Sequence, residues 1–481
     1  MKNFSVWQEE NKKNSFPKLT NDIELDVLII GGGMTGISTL YHLKDTGLRV
    51  ALVERNELAG GISARTTGKL TFLQDILYTN ILKNYGYETS KLYYESQKEA
   101  IDTVLNIVED NNISCDLVKQ KSYLFTNESS NIDVLKDEKE LLRKWGEEVI
   151  ENDLLEIDNK YNISVRNTYY FHPVKYLNHL ARLSLKDNIK IYEKTNIIEI
   201  KKDSNAYICK TKDSKIKANK VVIASHYPYF LFPLLMPLKA HIEKSYLLCK
   251  KANNPKNISA INIDTDTISF RYFQDNFIFL NNSHNTAFKF DNKKNYNKVK
   301  NKIELLDNNY YFWSNTDILT NDKIPYIGRI KDNLYIGTGY NTWGMTNGTI
   351  AGKVISDLIL EKENKYTKLF NPKREEINDF ISYIVNIFSS SKPFIQNKIN
   401  KSKSFYSSKV EFKKENGLDI AIYTDEHNKK HIVYNKCPHL KCNLIFNEVE
   451  KTWDCPCHAS RFDIDGKCIT GPSNYDITYK D

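Results

Sequence analysis

Asp26-Val-Leu-Ile-Ile-Gly31-Gly-Gly33-Met34-Thr35-Gly36-Ile-Ser-Thr-Leu joins a short apolar run to a glycine-rich turn and then to a helical pattern. The apolar run reads as a buried strand. Gly31 permits the tight turn, Gly33 lets the backbone approach a pyrophosphate, and Gly36 lets helix and strand pack closely, which leaves phosphates on the helix N-terminus. By itself such a glycine pattern also occurs in other α/β turns. Here a second strand, Leu48-Arg-Val-Ala-Leu-Val-Glu54, completes it. Its terminal carboxylate lies 23 residues after Gly31, placed to bond the ribose hydroxyls of an adenosine. An acid at that point favours FAD or NAD over NADP.

Further segments decide between those two. Gly60-Gly61-Ile-Ser63-Ala-Arg65-Thr66-Thr67-Gly68-Lys69 follows at once, and Ile324-Pro325-Tyr-Ile-Gly328-Arg329 precedes Leu334-Tyr-Ile-Gly337-Thr-Gly339-Tyr-Asn-Thr-Trp-Gly344-Met345-Thr346-Asn-Gly348 far downstream. Together these resemble FAD-dependent oxidoreductases similar to D-amino-acid oxidase, glycine oxidase and sarcosine oxidase. The resemblance implies noncovalent FAD held by Gly31, Gly33, Met34, Thr35, Gly36, Glu54, Arg55, Gly61, Ser63, Thr66, Thr67, Gly339, Gly344, Met345 and Thr346. It also implies a late strand returning to the first sheet, followed by a helix aimed at the flavin pyrimidine. Lys220-Val-Val-Ile-Ala-Ser225-His226 fits the adenine-side strand between them.

From about residue 81 to 207, and again from 231 to 315, the chain interrupts this fold. Alternation in Ser245 to Cys249 and Asn276 to Leu280 suggests an antiparallel sheet, the usual substrate platform of the family. Arg271 is the candidate for binding a substrate carboxylate, because its planar fork suits bidentate recognition, and Lys69 is the second candidate catalytic residue. Phe171-His172-Pro173 and Trp313-Ser-Asn-Thr-Asp317 look like local family patterns that packing would explain equally well.

Near the C-terminus the chain reads Cys437-Pro-His439-Leu440-Lys441-Cys442, and sixteen residues after His439 it reads Cys455-Pro-Cys457-His458-Ala459-Ser460-Arg-Phe462. One Cys and one His from each of two loops is what a [2Fe-2S] cluster with mixed ligands needs. Tetrahedral zinc also takes Cys and His at short spacing, although a four-ligand site has no use for six such residues. The flanking prolines, Ser460, Phe462 and a later Gly471-Pro472 make the segment resemble the Rieske family. That resemblance implies Cys437, His439, Cys455 and His458 as iron ligands and a disulfide between Cys442 and Cys457. Lys441 and Ala459 stand where the family usually has Gly. Phe462 stands where high-potential members carry a Tyr whose hydroxyl bonds a ligand sulfur. Ser460 keeps the other such donor, so an intermediate potential is expected.

The fold expected is an α/β FAD-binding Rossmann-like domain with an inserted antiparallel-sheet substrate domain, followed by an all-β Rieske domain. Residues 1–365 form the oxidoreductase, with FAD-binding parts about 20–80, 208–230 and 316–365; 366–404 form a linker with an amphipathic bracing helix; 405–481 form the Rieske domain. A formal charge of +8 is spread along a chain rich in Lys, and residues 391–414, with seven Lys and one Glu, read as a solvated linker. No basic groove with interleaved aromatics suggests nucleic acid. No apolar stretch approaches the roughly 18 residues of a membrane span, and no apolar leader opens the chain, so a cytoplasmic protein is expected. Five of the eight cysteines lie in the last 45 residues. Cys115, Cys209 and Cys249 read as scattered buried thiols, and His427 and His431 as surface residues. A disulfide in a reducing cytosol would need burial beside the cluster.

The implied activity is oxidation of a small amine or amino acid by hydride transfer to flavin, with one-electron exit through the cluster to an acceptor the sequence does not name. A Rieske oxygenase would need a mononuclear iron triad in a following domain, and with the Rieske module read as the last one, no such triad is expected. The competing reading is an electron-transfer or redox-sensing protein with no small-molecule substrate of its own.

Overall fold

The computed structural model describes residues 1–9, 15–228, 236–286, 291–303, 309–374 and 409–479. The expected bracing helix at 375–388 and the linker that follows it lie outside these residues.

The opening motif folds as read. Strand Ile23–Ile30, whose last four residues are buried, runs into helix Met34–Leu43 with Gly33 as N-cap and no side-chain cap. A β-carbon on Gly36 would fall 1.9 Å from the Gly31 carbonyl oxygen, so only glycine lets the helix seat this close to the turn. The strand is the centre of an eight-stranded sheet. In order across it lie Tyr326–Lys331, Leu334–Thr338, Lys215–Ile223, Ile23–Ile30, Val50–Val53 and Ile189–Tyr192. All neighbours are parallel except the first pair. The late strand therefore does return to the first sheet, and helix Gly344–Ile359 follows it and packs on helix Met34–Leu43. Strands Glu199–Asp203 and Ala206–Lys210 pair off the edge of Lys215–Ile223. The dinucleotide sheet thus takes up residues 189–210, most of which the sequence reading left in the inserted domain.

The inserted domain is a nine-stranded, mostly antiparallel sheet. It runs Tyr311–Thr320, Ala240–Lys251, Asn276–Asn285, Ile268–Phe273, Ile258–Asn262, Val118–Thr126, Tyr161–Tyr170 and Lys69–Leu70, with Val149–Glu151 paired beside Tyr161–Tyr170. Its edge strand Lys69–Leu70 leaves the flavin loop directly, so the loop and the substrate platform are covalently continuous.

The C-terminal module is all β, with a three-stranded sheet (Val410–Glu415, Leu418–Thr424, Lys430–Tyr434) and a four-stranded one (Ile445–Asn447, Thr452–Asp454, Arg461–Phe462, Cys468–Thr470). Its core is built on Trp453, Phe462, Leu444 and the cysteines. Ala459, by contrast, is buried in a core shared with Tyr227, Ile242 and Ile318 of the flavin-binding and inserted domains. Below it, Lys244 Nζ lies 2.8 Å from Asp454 and 3.6 Å from Glu450, and Arg461 lies 2.9 Å from Glu450 and 3.2 Å from Asp454. Ser314 donates to Glu450 at 2.6 Å and accepts from Arg461 at 3.0 Å. Burial opposes both carboxylates, but Arg461 and Lys244 outweigh it and hold Glu450 down to about 2 and Asp454 lower still. Removing one partner of such a buried set leaves an unpaired charge, at a cost of about 3–5 kcal/mol.

Candidate functional site

A long cleft runs along the carboxyl ends of the parallel strands, where ligands sit in open α/β sheets. Gly31, Gly33, Met34, Thr35, Glu54, Arg55, Gly61, Ser63, Thr66, Gly344 and Met345 line it, all expected from the sequence. A β-carbon on Gly33 would meet only Ser63 Oγ, 3.1 Å away, so the turn leaves a bare backbone surface beside the uncapped helix end. Glu54 accepts from the backbone N–H groups of Gly32 and Asn56 at 2.8 Å each, which fixes the carboxylate while leaving a second lone pair on each oxygen. Four expected residues do not line the cleft, and one of them, Thr67, lines the neighbouring cavity instead. Gly36 packs beneath the turn, Gly339 lies beside Thr320 and Tyr326, and the Thr346 hydroxyl is engaged by Gln74 at 2.9 Å. Sequence reasoning missed Thr195, Asn196, Ile197, His226, Tyr227, Tyr340 and Thr342. The end of the Lys220–His226 run was the one signal for His226. Its buried Nε2 has no hydrogen-bond partner among the described residues. A glycine cradle, a fixed carboxylate and an orphaned imidazole facing the same space fit a dinucleotide.

Next to this cleft is a smaller cavity lined by Arg65, Thr67, Lys69, Ser245, Ser269 and Ser283. Thr66, Asn315, Asp317, Thr342, Gly344 and Met345 line both spaces, so the two share a wall. Lys69 Nζ donates to Ser269 Oγ at 2.7 Å and to the Ala260 carbonyl at 3.0 Å. Burial, with Arg271 adding repulsion, pushes it down to about 7. Burial, with Glu243 adding repulsion, pushes Asp317 up to about 7; Asn315 donates to it at 3.0 Å. Arg65 makes no hydrogen bond or ion pair through its guanidinium among the described residues, and its Nε is buried without a partner.

Arg271 does not line this cavity. It is fully buried, with its guanidinium 4.6 Å from the Tyr170 ring, 5.1 Å from Trp7 and 5.4 Å from Phe273. The expected carboxylate binder is thus enclosed among aromatic rings, and Arg65 is the guanidinium at the cavity wall. His172 is likewise structural, capping helix Pro173–Leu183 by accepting from Lys175 N.

At the cluster loops, Cys442 and Cys457 form a disulfide. The sulfurs of Cys442, Cys455 and Cys457 lie within 4.8 Å of one another, but the bridge removes two of them as ligands. Cys455 is left beside the buried free thiol of Cys437. The rings of His439 and His458 lie 5.0 Å apart. Both nitrogens of His458 are buried without a partner among the described residues, and burial keeps the ring neutral by pushing it down to about 3. Two thiols and two imidazoles, one of them orphaned and neutral, suit a mixed-ligand iron–sulfur cluster better than a zinc knuckle. Cys455 first, and Ser460 after it, lower the pKa of the Cys437 thiol, while Phe462 is fully buried and offers no donor. A hydrogen bond to a charged acceptor contributes about 1.5–3 kcal/mol, which for one electron is about 60–130 mV. Phe462→Tyr is expected to raise the cluster potential by up to that amount and Ser460→Ala to lower it, as read by EPR-monitored redox titration. Unmoved midpoints in both variants would rule these two side chains out as tuning elements.

Lys441 and Ala459 adopt φ of 59° and 55°, and in each loop the corresponding N–H closes a turn onto the Cys437 or Cys455 carbonyl, at 2.8 and 3.1 Å. The left-handed region costs an L residue roughly 1–2 kcal/mol. Glycine's larger unfolded-state entropy returns part of that, so Lys441→Gly, at an exposed position, is expected to stabilise the module by about 0.5–1 kcal/mol. Ala459→Gly should gain less, since it also gives up a buried methyl worth about 0.8 kcal/mol. Urea midpoints of the iron-loaded variants check both. His431, expected at the surface, is buried, with Asp465 2.6 Å from Nδ1 and Asp425 3.4 Å from Nε2.

A dinucleotide cleft with a glycine cradle, joined to a two-Cys, two-His iron–sulfur fold, defines a flavin-dependent oxidoreductase carrying an iron–sulfur module. The family model for FAD dependent oxidoreductases (DAO) matches residues 26–358 and that for the Rieske [2Fe-2S] domain matches residues 396–479. The chain belongs to the FAD-dependent oxidoreductase family, with a C-terminal Rieske domain, and its cofactors are FAD and a [2Fe-2S] cluster. It is 32% identical to a Bacillus subtilis protein named as a Rieske 2Fe-2S iron-sulfur protein, YhfW, over 98% of this chain and 96% of that one. Gamma-glutamylputrescine oxidoreductase of Escherichia coli is 22% identical over 75% of this chain and 89% of its own. The crystal structure of glycine oxidase from Geobacillus kaustophilus shares the fold with a TM-score of 0.60 at 18% identity, covering 73% of this chain and 99% of that one. Among the described residues no helix is long and apolar enough to cross a membrane.

Proposed function

We propose that the protein oxidises a small amine or amino acid at a C–N bond and passes the electrons on, one at a time, to a separate acceptor through its Rieske module. Bound FAD supplies the two-electron oxidation and the [2Fe-2S] cluster the one-electron exit. The observation that carries this reading is the cavity of Arg65, Lys69 and Asp317, which shares a wall with the flavin cleft. An amine must lose its ammonium proton before its C–N bond is oxidised. Lys69, held near neutrality by burial, is a base of matched strength for that proton. Arg65 offers an unengaged guanidinium to a carboxylate, and Asp317 faces the same space to accept from the amine. The names of the relatives, glycine oxidase and gamma-glutamylputrescine oxidoreductase, point to the same substrate class.

The exit route is supported by Tyr227, which lines the cleft and whose ring centroid lies 5.8 Å from that of the iron ligand His458. The same reading divides the chain at about residues 365 and 405. Anaerobic addition of amines and amino acids to the purified protein tests it, read as bleaching of the flavin absorbance. At least one should reduce the flavin within seconds. If none does while a partner protein reduces both centres, the chain is a relay without a substrate of its own.

A further inference from the structure

One side of the FAD cleft is built by the Rieske module. Ile469, Thr470, Gly471, Pro472 and Asn474 line it together with Glu54 and Arg55. The seam is stitched by side chains of the flavin domain that also line the cleft, each donating to a carbonyl of the loop. Arg55 Nη1 donates to Ser473 O at 2.6 Å, Asn56 Nδ2 lies 3.2 Å from the carbonyls of Cys468 and Ile469, and Asn196 Nδ2 donates to Asn474 O at 2.5 Å. The other side of the same loop rests on Ser460 of the loop that carries Cys455 and His458. Ser473 N donates to Ser460 Oγ at 3.2 Å, and Gly471 sits so close that a β-carbon there would lie 2.5 Å from Ser460 Cα. Ser460 closes the ligand loop that carries Cys455 and His458, its carbonyl accepting from Cys455 N at 2.8 Å.

We propose that residues 469–474 are part of the FAD site, a wall shared by the two cofactors, so that assembly of the cluster slows the loss of FAD. To the extent that the cluster tightens FAD binding at equilibrium, linkage requires FAD to tighten the hold on the cluster by the same factor. The proposal does not depend on the substrate. It predicts that a change in iron loading is felt in flavin content, although no residue ligates both groups.

Two measurements on the full-length protein decide it. In iron-loaded protein stripped of FAD, adding FAD back should slow hydrogen exchange at the amides of Ile469, Thr470, Gly471, Ser473 and Asn474 at least tenfold. Protection confined to the Gly31–Gly36 turn would overturn the proposal. Separately, FAD release, followed by the rise of free-flavin fluorescence, should be at least tenfold faster from iron-depleted than from iron-loaded protein. Equal release rates would overturn the coupling. Neither readout uses catalytic activity, so failure of the substrate reading leaves both intact.

Discussion

Lys69→Met is expected to slow reduction of the bound flavin by substrate by about 10²–10⁴-fold, the range for loss of a positioned general base. In the unaltered protein that rate should rise with pH through about 7 and then level. Burial, then Arg271, holds Lys69 near 7; below that value the amine is protonated and cannot accept a proton, and above it the lone pair is free. The rising limb near 7 should therefore vanish in Lys69→Met. Lys69→Arg keeps a cation but cannot lose its proton, and it should be as slow as the Met variant. Stopped-flow absorbance across pH 5–9 measures all three, and a Met variant that retains the limb would assign it to another group, of which Asp317 is the first to test. Replacing Arg271 by Met removes the repulsion on Lys69 and should move the limb to higher pH. A carboxylate-binding role would instead appear as a raised KM at unchanged limb position.

His458→Ala is expected to abolish the Rieske-type EPR signal. The imidazole has no other partner for either nitrogen among the described residues, and on the proposed ligand assignment its removal leaves one iron a ligand short. Reduction of the flavin by substrate should persist, assayed with excess FAD, while reoxidation by the physiological acceptor should fail. Reoxidation at the normal rate without the cluster would take the Rieske module off the electron path and leave it a structural part of the cleft.

What was legible in the sequence was what is local. The Gly31–Gly36 turn, the Glu54 strand end and the two Cys/His loops are each built within a few dozen residues, where spacing alone fixes the geometry. The departures at Lys441 and Ala459 were legible as well, and both fall in left-handed backbone. Arg271 shows where this stops. Its guanidinium was read from chemistry without an address. Ser269, two residues earlier on the same face of the strand, reaches Lys69, but Arg271 is enclosed by Trp7 from the short N-terminal helix Val6–Glu9. No local pattern forecasts that a tryptophan some 260 residues away will cover it. Arg65 and Asp317 lay inside stretches already quoted, yet only the meeting of the flavin loop with strand Tyr311–Thr320 makes them neighbours of one cavity. His431 is buried partly for the same reason: Asp425 is six residues away, but Asp465 comes from a turn 34 residues on.

The buried set of Lys244, Glu450, Asp454 and Arg461 bears on how such fusions are assembled in the laboratory or by recombination. Three of its charges travel with the Rieske module and sum to −1; the neutralising +1 is Lys244, on the inserted sheet. A module transplanted onto a flavoprotein with an apolar residue at that position would bury a surplus anion, at a cost of several kcal/mol. A productive chimera therefore has to carry a lysine from the recipient side of the junction, and a sequence boundary drawn in the linker does not supply it.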